Sequence, residues 1–214
     1  MDHQMSVFND KVWLIGGIQV DSEEKIYYND VWSSSDGVNF SQEQSNSNFS
    51  NRSGHQVVVS NNKLWVIGGF TVQNISEVLV TQNVNDVWHS ENGVSWEELS
   101  ITNGFDPRNG HQVLVSNNKM WLFAGYDENT YYKDVWTSDN GKDWTKIQDN
   151  AAFSYRAGHQ VVFFKGKFWL IGGVAYTDSN ERVYYNDVWS SVDGIIWRSE
   201  GNYTDDGKER YFHQ

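Results

Sequence analysis

The sequence predicts an all-β protein built from four copies of one four-stranded unit. The dipeptide His-Gln recurs at steps of 52, 56, 48 and 54 residues, and the same short apolar runs and glycine-containing turns follow each of the first four. A repeat of about 50 residues that carries four short strands is typical of a β-propeller blade. The recurring histidines are His3, His55, His111, His159 and His213.

Copy two shows the four expected strands most clearly. Its runs VVVS, KLWVIGG, NDVWHS and VSWEEL are separated by Asn-Asn, Gly-Gly and Asn-Gly signals, which are typical of turns between strands. In KLWVIGG, Leu64 and Val66 point to one face while Trp65 and Ile67 point to the other. A strand that is apolar on both faces indicates a sheet covered on both sides by neighbouring sheets. No window shows a helical period with caps.

The repeat also predicts the organisation of the chain. We expect a single domain over 1–214, with blades at about 1–51, 52–107, 108–155 and 156–209, and with 210–214 as the start of a further repeat. From each repeat histidine to the first position of the Gly-Gly pair is 13 residues in all four copies. Length varies mainly between Gly-Gly and Asn-Asp, which predicts variable surface loops at 18–28, 70–84, 126–132 and 174–185.

Composition excludes several classes of function. The 214 residues contain no cysteine, which rules out disulfides, thiolate metal sites and cysteine nucleophiles. The net charge of -12 disfavours nucleic-acid and anionic-membrane partners, because both require a basic face. No apolar run approaches the length of a membrane span, and no signal-peptide pattern is visible. The sequence therefore does not identify the cellular compartment.

The repeat motifs resemble a known family. The Arg-x-Gly-His start, the Lys-x-Trp-x-Ile-Gly-Gly strand and the Asn-Asp-Val-Trp strand are similar to kelch repeats of the bacterial type over essentially the whole chain. The resemblance implies a kelch β-propeller, a fold that usually has six or seven blades. With four copies here, closure by four blades, a homodimer of eight blades and a truncated or engineered array all stay open.

A second resemblance lies in the third turn of each copy. TSDNGKDW at 137–144 is similar to the Asp-box hairpin of sialidases, with Asp139 at the box position. The other copies depart from it there, with Ser35, Glu91 and Val192. We therefore expect a structural turn.

Repeated arginines and histidines form one set of candidate site residues. Each arginine lies three residues before a repeat histidine, and equivalent positions of inner strands surround a propeller axis. We expect a structural role, with blade-to-blade ion pairs to Asp30, Asp86, Asp134 and Asp187. The alternatives are capture of a carboxylate, as implied by kelch enzymes that act on sialic acid, and a metal ring of imidazoles. The channel-mouth candidates are Arg52, His55, Arg108, His111, Arg156 and His159.

The repeated tryptophans and glycines are expected to build the scaffold. The tryptophans predict a core between blades, and the Gly-Gly pairs predict close backbone approach or positive φ. The repeated rings are Trp13, Trp65, Trp121, Trp169, Trp32, Trp88, Trp136, Trp189, Phe40, Trp96, Trp144 and Trp197.

The variable segments supply the candidate binding face. Three of them end in a Tyr-Tyr pair, and 70–84 is the longest and most apolar. Tyrosines beside short acidic stretches suit a protein or glycan partner, whereas the alternative is that they pack the loop bases onto the blades. The candidates are Tyr27, Tyr28, Ile75, Leu79, Tyr126, Tyr131, Tyr132, Tyr176, Tyr184 and Tyr185.

Together these features predict a non-enzymatic scaffold that binds a protein or glycan partner or associates with itself. No catalytic constellation, cofactor or metal site emerges from the sequence. The alternatives are a carbohydrate-active propeller resembling the sialic-acid epimerases, and a truncated or engineered array that assembles into a larger ring.

Overall fold

A computed structural model describes residues 1–21, 24–75, 78–177, 179 and 181–202. The regular secondary structure in these ranges is β-strand throughout. Nowhere in the described ranges is there a helix with the length and apolarity needed to cross a bilayer. The further repeat expected at 210–214 lies outside the described residues.

Each copy of the repeat forms one antiparallel sheet, which we call a blade. Blade 1 consists of β1 (Gln4–Phe8), β2 (Lys11–Val20), β3 (Lys25–Ser34) and β4 (Ser41–Gln44). Blade 2 consists of β5 (Arg52–Ser53), β6 (Gln56–Ser60), β7 (Lys63–Ile75), β8 (Val78–Ser90) and β9 (Glu97–Leu99). Blade 3 consists of β10 (Gln112–Ser116), β11 (Lys119–Tyr126), β12 (Tyr131–Ser138) and β13 (Thr145–Gln148).

Blade 4 differs from the others because its middle hairpin is interrupted. Its sheet consists of β14 (Gln160–Phe164), β15 (Lys167–Ile171), β18 (Asp187–Ser191) and β19 (Arg198–Asn202). The hairpin β16 (Val174–Tyr176) and β17 (Arg182–Tyr184) pairs separately. The predicted four-stranded antiparallel blades are confirmed, and blade 2 adds the two-residue strand β5 to its four.

The chain divides into two compact units. The first holds 1–109 with 141–143, hence blades 1 and 2, and the second holds 110–140 and the described residues from 144 onward, hence blades 3 and 4. In the first unit the core lies between the blades, where Trp13 and Ile15 of blade 1 meet Leu64 and Val66 of blade 2. The second unit repeats this arrangement with Phe123 and Val135 against Phe168 and Leu170.

The repeated rings contribute to these cores to different degrees. The best buried are Trp13, Trp65, Trp96, Trp136, Trp144 and Trp197. The partly buried ones are Trp32, Phe40, Trp88, Trp121, Trp169 and Trp189. The tryptophan of each Asp-Val-Trp motif donates its indole N–H to the aspartate two residues earlier, over 2.7 Å in every blade.

The prediction of a variable surface loop is wrong for most of 70–84. β7 and β8 stay paired to the register Ile75↔Val78, so 70–75 and 78–84 form the two strands of a β-hairpin that extends the blade. The other three segments are also hairpins, and the copies differ in hairpin length. Runs of β-branched and aromatic residues favour continued pairing over an open loop. The side chains of Ile75 and Leu79 lie outside what the structure describes.

The Gly-Gly pairs form bulges at which one blade meets the next. Gly68 and Gly69 have φ of 59° and 110°, and the register of β7 shifts beside them. A Cβ on Gly69 would lie 2.8 Å from the carbonyl oxygen of Ser53, so the second position requires glycine. The bulge leaves the Gly69 N–H free to donate to the carbonyl of Arg108 over 3.0 Å. The expected close approach and positive φ are confirmed.

Candidate functional site

The arginine that starts each repeat is fully buried, and its charge is neutralised inside its own blade. Both terminal nitrogens of Arg52 donate to the Asp86 carboxylate over 2.8 and 2.7 Å, in a bidentate pair. Arg52 also donates to the carbonyls of Gly68 and Ser50. Because Arg52 and Asp86 belong to the same blade, the prediction that these ion pairs run from blade to blade is wrong for this pair.

The second unit contains the same network. Arg156 donates to both carboxylate oxygens of Asp187 over 2.6 and 2.8 Å, and to the carbonyl of Gly172. Burial alone would raise the pKa of Asp187, but the hydrogen bonds and positive charge of Arg156 lower it overall. The link between blades is made instead by the arginine backbone, since the Gly125 N–H donates to the Arg156 carbonyl over 2.9 Å.

Three repeat histidines, His55, His111 and His159, follow these arginines in the chain and are also fully buried. Burial, followed by the charge of Arg52, lowers the pKa of His55 to about 3. The pKa of His159 is lowered for the same reasons, with Arg156 as the charged neighbour. Both imidazoles are therefore neutral at physiological pH. The described residues contain no cluster of three or more potential metal-ligating side chains.

The burial of the six channel-mouth candidates favours the structural role that the sequence analysis expected over the alternative of carboxylate capture. In this structure six side chains have no exposed surface, because the arginines fold back onto buried acceptors and the histidines pack beneath the glycine bulges. They therefore belong to the scaffold and are not available to a ligand. These residues are Arg52, His55, Arg108, His111, Arg156 and His159.

A cleft in the second unit gathers several of the predicted tyrosines. Tyr126 and Tyr131, at the tip of the β11–β12 hairpin, stack with ring centroids 5.1 Å apart and planes 14° apart. Tyr176 of β16 approaches Tyr131 at 6.3 Å. These rings line a cleft of about 640 Å³, which we call the tyrosine cleft. Its walls are formed by Tyr126, Asp127, Glu128, Asn129, Thr130, Tyr131, Tyr155, Tyr176 and Thr177.

The turn at the end of the β11–β12 hairpin holds the stacked tyrosines in place. The Asp127 carboxylate accepts hydrogen bonds from the backbone N–H groups of Asn129 and Thr130 over 2.8 and 2.7 Å. It also accepts a hydrogen bond from the Tyr132 hydroxyl over 2.6 Å. An aspartate that bonds the backbone two and three residues on is a typical turn former. The cross-strand partners Tyr126 and Tyr131 are therefore presented on a well-bonded turn.

The tyrosine cleft combines a neutral phenol with two positively charged neighbours. Burial, followed by the neighbouring Tyr126 and Tyr176, raises the pKa of Tyr131 to about 12, so this phenol stays protonated at neutral pH. Arg182 lies over the Tyr176 ring at 5.1 Å and donates to the Tyr184 hydroxyl over 3.0 Å. The Lys133 ammonium lies 4.6 Å from the ring centroid of Tyr155. Two tyrosine faces at the cleft thus already hold cations of this chain.

The remaining predicted tyrosines do not line the cleft. Tyr28 donates its hydroxyl to Gln19, and Tyr27 packs against Phe70 with ring centroids 5.9 Å apart. Tyr185 covers the guanidinium of Arg156 at 4.3 Å. These three residues therefore support the blades.

Tyr155 is the cleft residue that the sequence analysis missed. It lies directly before the repeat arginine of blade 4, where copies two and three carry Asn51 and Pro107. The sequence signal that could have identified Tyr155 is a large aromatic side chain at a position where the other copies carry smaller residues. Its side chain is more than half exposed.

Repeated four-stranded blades that share one Asp–Trp hydrogen bond and one pair of positive-φ residues at the end of the second strand define a β-propeller protein of the kelch class. The model for the KLHDC2/KLHL20/DRC7 Kelch-repeats domain matches residues 2–197, and the chain belongs to this family. The resemblance to kelch repeats is thereby confirmed.

One curated protein is similar to part of the chain, and one solved structure is similar to almost all of it. The Leucine-zipper-like transcriptional regulator 1 homolog of Drosophila melanogaster is 34% identical over 77 residues, which are 35% of this chain and 8% of that protein. The solved structure titled "Structure of YjhT" superposes with a TM-score of 0.70 at 17% identity, over 95% of this chain and 66% of that chain. The chain thus spans a small part of the curated relative and 66% of the solved structure, and the second likeness shows the fold alone.

Proposed function

We propose that this chain is a non-enzymatic kelch scaffold that binds a segment of a protein partner in the tyrosine cleft. The observation that carries the proposal is the convergence of Tyr126, Tyr131, Tyr155 and Tyr176 on one cleft. Tyrosine supplies a large contact area for only two side-chain torsions, which is why it is enriched where binding energy concentrates. Membership of a kelch family supports a binding role in general terms.

The chemistry of the cleft favours a basic segment as the ligand. Glu128 is exposed at its rim, and the chain as a whole carries a net charge of -12. Arg182 and Lys133 of this chain already cover the Tyr176 and Tyr155 rings. An arginine or lysine of a partner would instead contact the stacked rings of Tyr126 and Tyr131 and the nearby Glu128 carboxylate.

The described residues also support a binding role over catalysis. The repeated arginines and histidines are buried in the scaffold. Tyr131 is protonated at neutral pH, as an ordinary tyrosine is, and its raised pKa makes loss of the proton harder still. Such a phenol is a hydrogen-bond donor and a poor base.

The test is selection of random peptides on the immobilised chain, followed by measurement of affinity. Tyr176→Ser removes a cleft ring, and Ile26→Ser is the matched control, since both side chains are 40% exposed and lie in blade hairpins. We expect basic peptides to be enriched, and their affinity to fall at least about tenfold in Tyr176→Ser but not in Ile26→Ser.

Three results would contradict the proposal. They are failure to enrich any peptide, equal binding by Tyr176→Ser and wild type, and binding confined to a glycan array. The last of these would favour the carbohydrate alternative instead.

A further inference from the structure

The junctions between blades follow one rule. The tryptophan of the second strand packs onto the turn glycine before the fourth strand of the following blade. A Cβ on Gly93 would lie 2.3 Å from the Trp13 ring, and one on Gly194 would lie 2.7 Å from the Trp121 ring. Gly141 and Trp65 show the same relationship at 2.4 Å. Each blade therefore offers a tryptophan on one face and a glycine turn on the other.

Blade 1 and blade 4 each carry one half of this junction without a counterpart among the described residues. We call the face of blade 1 that bears Gly37 and Met5, and the face of blade 4 that bears Trp169 and Phe164, their outer faces. Gly37, the turn glycine of blade 1, has a φ of 74°, close to the 78° of Gly93, but no described heavy atom lies within 4 Å of its built Cβ. On blade 4 the indole N–H of Trp169 makes an exposed hydrogen bond to the Phe164 carbonyl, whereas the equivalent bonds of Trp13 and Trp65 are buried.

The side chains around these two positions are exposed where their equivalents are buried. Met5 on blade 1 is 57% exposed, whereas its equivalent on blade 2, Val57, is 7% exposed. On blade 4, Phe164 is 57% exposed, whereas its equivalent on blade 1, Phe8, is 3% exposed. Large apolar side chains gathered on one face rarely stay uncovered in a soluble monomer.

We propose that the outer face of blade 4 docks onto the outer face of blade 1 of a second copy of this chain, with Trp169 seated on Gly37 of that copy. A second copy is the occupant that fits, because it presents the complementary half of a junction that the chain already makes at Gly93, Gly141 and Gly194. This goes beyond the proposed function and does not depend on the tyrosine cleft.

The charges at the two faces support the same pairing. Lys165 and Lys167 border the blade 4 face, where their ammonium groups lie 5.2 and 5.8 Å from the ring centroids of Phe164 and Trp169. The carboxylate of Asp36 lies in the same turn as Gly37 on blade 1. The lysines of blade 4 and the aspartate of blade 1 have opposite charges, which favours contact between blade 4 and blade 1 over contact between two copies of the same blade.

The first test is the mass of the full chain in solution by light scattering across a range of concentration. We expect a two-chain species for wild type. Phe164→Asp places a charge in the docked face and should weaken association at least about tenfold. Val192→Asp is the matched control. Val192 is 69% exposed on the same blade, at a position where blades 1 to 3 carry the polar residues Ser35, Glu91 and Asp139.

The second test establishes direction. The chain has no cysteine, so Val38→Cys and Phe164→Cys each add a single thiol. With a short bismaleimide we expect a cross-linked pair when the two variants are mixed, and little when either is treated alone.

A monomer at all concentrations would overturn the proposal, as would a dimer that is unaffected by Phe164→Asp. A third chain carries both Val38→Cys and Phe164→Cys. Cross-linking between these two thiols within one chain would also overturn the proposal, because the chain would then cover its own outer faces. Thermal melting of each variant separates loss of association from loss of folding.

Discussion

The Trp13 ring lies against Gly93, so close that a Cβ on the glycine would stand 2.3 Å from the indole. This contact joins blades 1 and 2 within the first unit. Gly93 also has a φ of 78°, which non-glycine residues rarely adopt. The glycine is therefore required twice, once by the turn and once by the neighbouring blade.

This double requirement predicts the effect of Gly93→Ala. We expect a loss of about 3 kcal/mol in the free energy of unfolding, from positive φ together with overpacking. Gly166→Ala is the control, because Gly166 has a φ of 75° with nothing described within 4 Å, and it should lose only about 1 kcal/mol. Urea unfolding measures both values, and equal losses would show that the Trp13 contact is unimportant.

The bidentate pair of Arg156 with Asp187 predicts a large stability effect. Arg156→Met leaves a partly buried carboxylate that keeps only its tryptophan partner among the side-chain donors described, and should cost about 3–5 kcal/mol. The control is Glu91→Gln, which breaks an exposed pair with Lys63 and should cost less than about 1 kcal/mol. Denaturant unfolding compares the two, and a loss in Arg156→Met as small as in the control would contradict a structural role.

The depressed pKa of His55 predicts sensitivity to acid. In the unfolded chain this imidazole takes up a proton near pH 6.5, whereas in the folded chain its pKa is about 3. The unfolded state therefore binds more protons between these values, so stability falls as pH falls from 6.5 towards 3, by roughly 1.4 kcal/mol per pH unit for this residue. His55→Gln should flatten this dependence by about one proton, as measured by unfolding at several pH values. An unchanged slope would show that the His55 pKa is not depressed.

The hydrogen bonds in the third turn of each blade predict which substitutions that turn tolerates. Asp193 accepts hydrogen bonds from the backbone N–H groups of Ile195 and Ile196, as Asn92 does from Val94 and Ser95 in blade 2. Asp193→Asn should therefore change stability by less than about 0.5 kcal/mol, while Asp193→Ala should lose about 1 kcal/mol. Equal effects in thermal melting would contradict a turn-forming role.

The same turn has a pH dependence. The hydrogen bond from the Ile196 backbone is the largest cause of the lowered pKa of Asp193, outweighing the opposing effect of burial. The stability that this carboxylate contributes is thus present above its unfolded pKa, and is lost as pH falls through the lowered folded pKa. In Asp193→Asn this contribution to acid unfolding should disappear, and melting between pH 5 and pH 2 measures it.

The sequence analysis succeeded where a residue's role is local or repeated, and failed where the role depends on a partner. Turn glycines and two-faced strands such as β7 follow from spacing and alternation, which act within one blade. The segment 70–84 was misjudged because variable length says nothing about pairing across a hairpin. The sequence analysis paired Arg52 with the repeated aspartates but expected the pairs to join neighbouring blades, because sequence does not show which blade supplies each partner. Asp86 lies in the same blade as Arg52.

By itself, the sequence determined four repeats of a four-stranded unit, because alternating apolar runs separated by turn residues favour paired strands. The kelch family followed from the resemblance of the repeat motifs. The tertiary structure decided which tyrosines meet in one cleft, which charges are buried, and which faces stay exposed. Tyr126, Tyr131, Tyr155 and Tyr176 come from separate strands and a connecting segment, so only packing brings them together. Those contacts join residues up to 50 positions apart, and the geometry of neighbouring blades sets them.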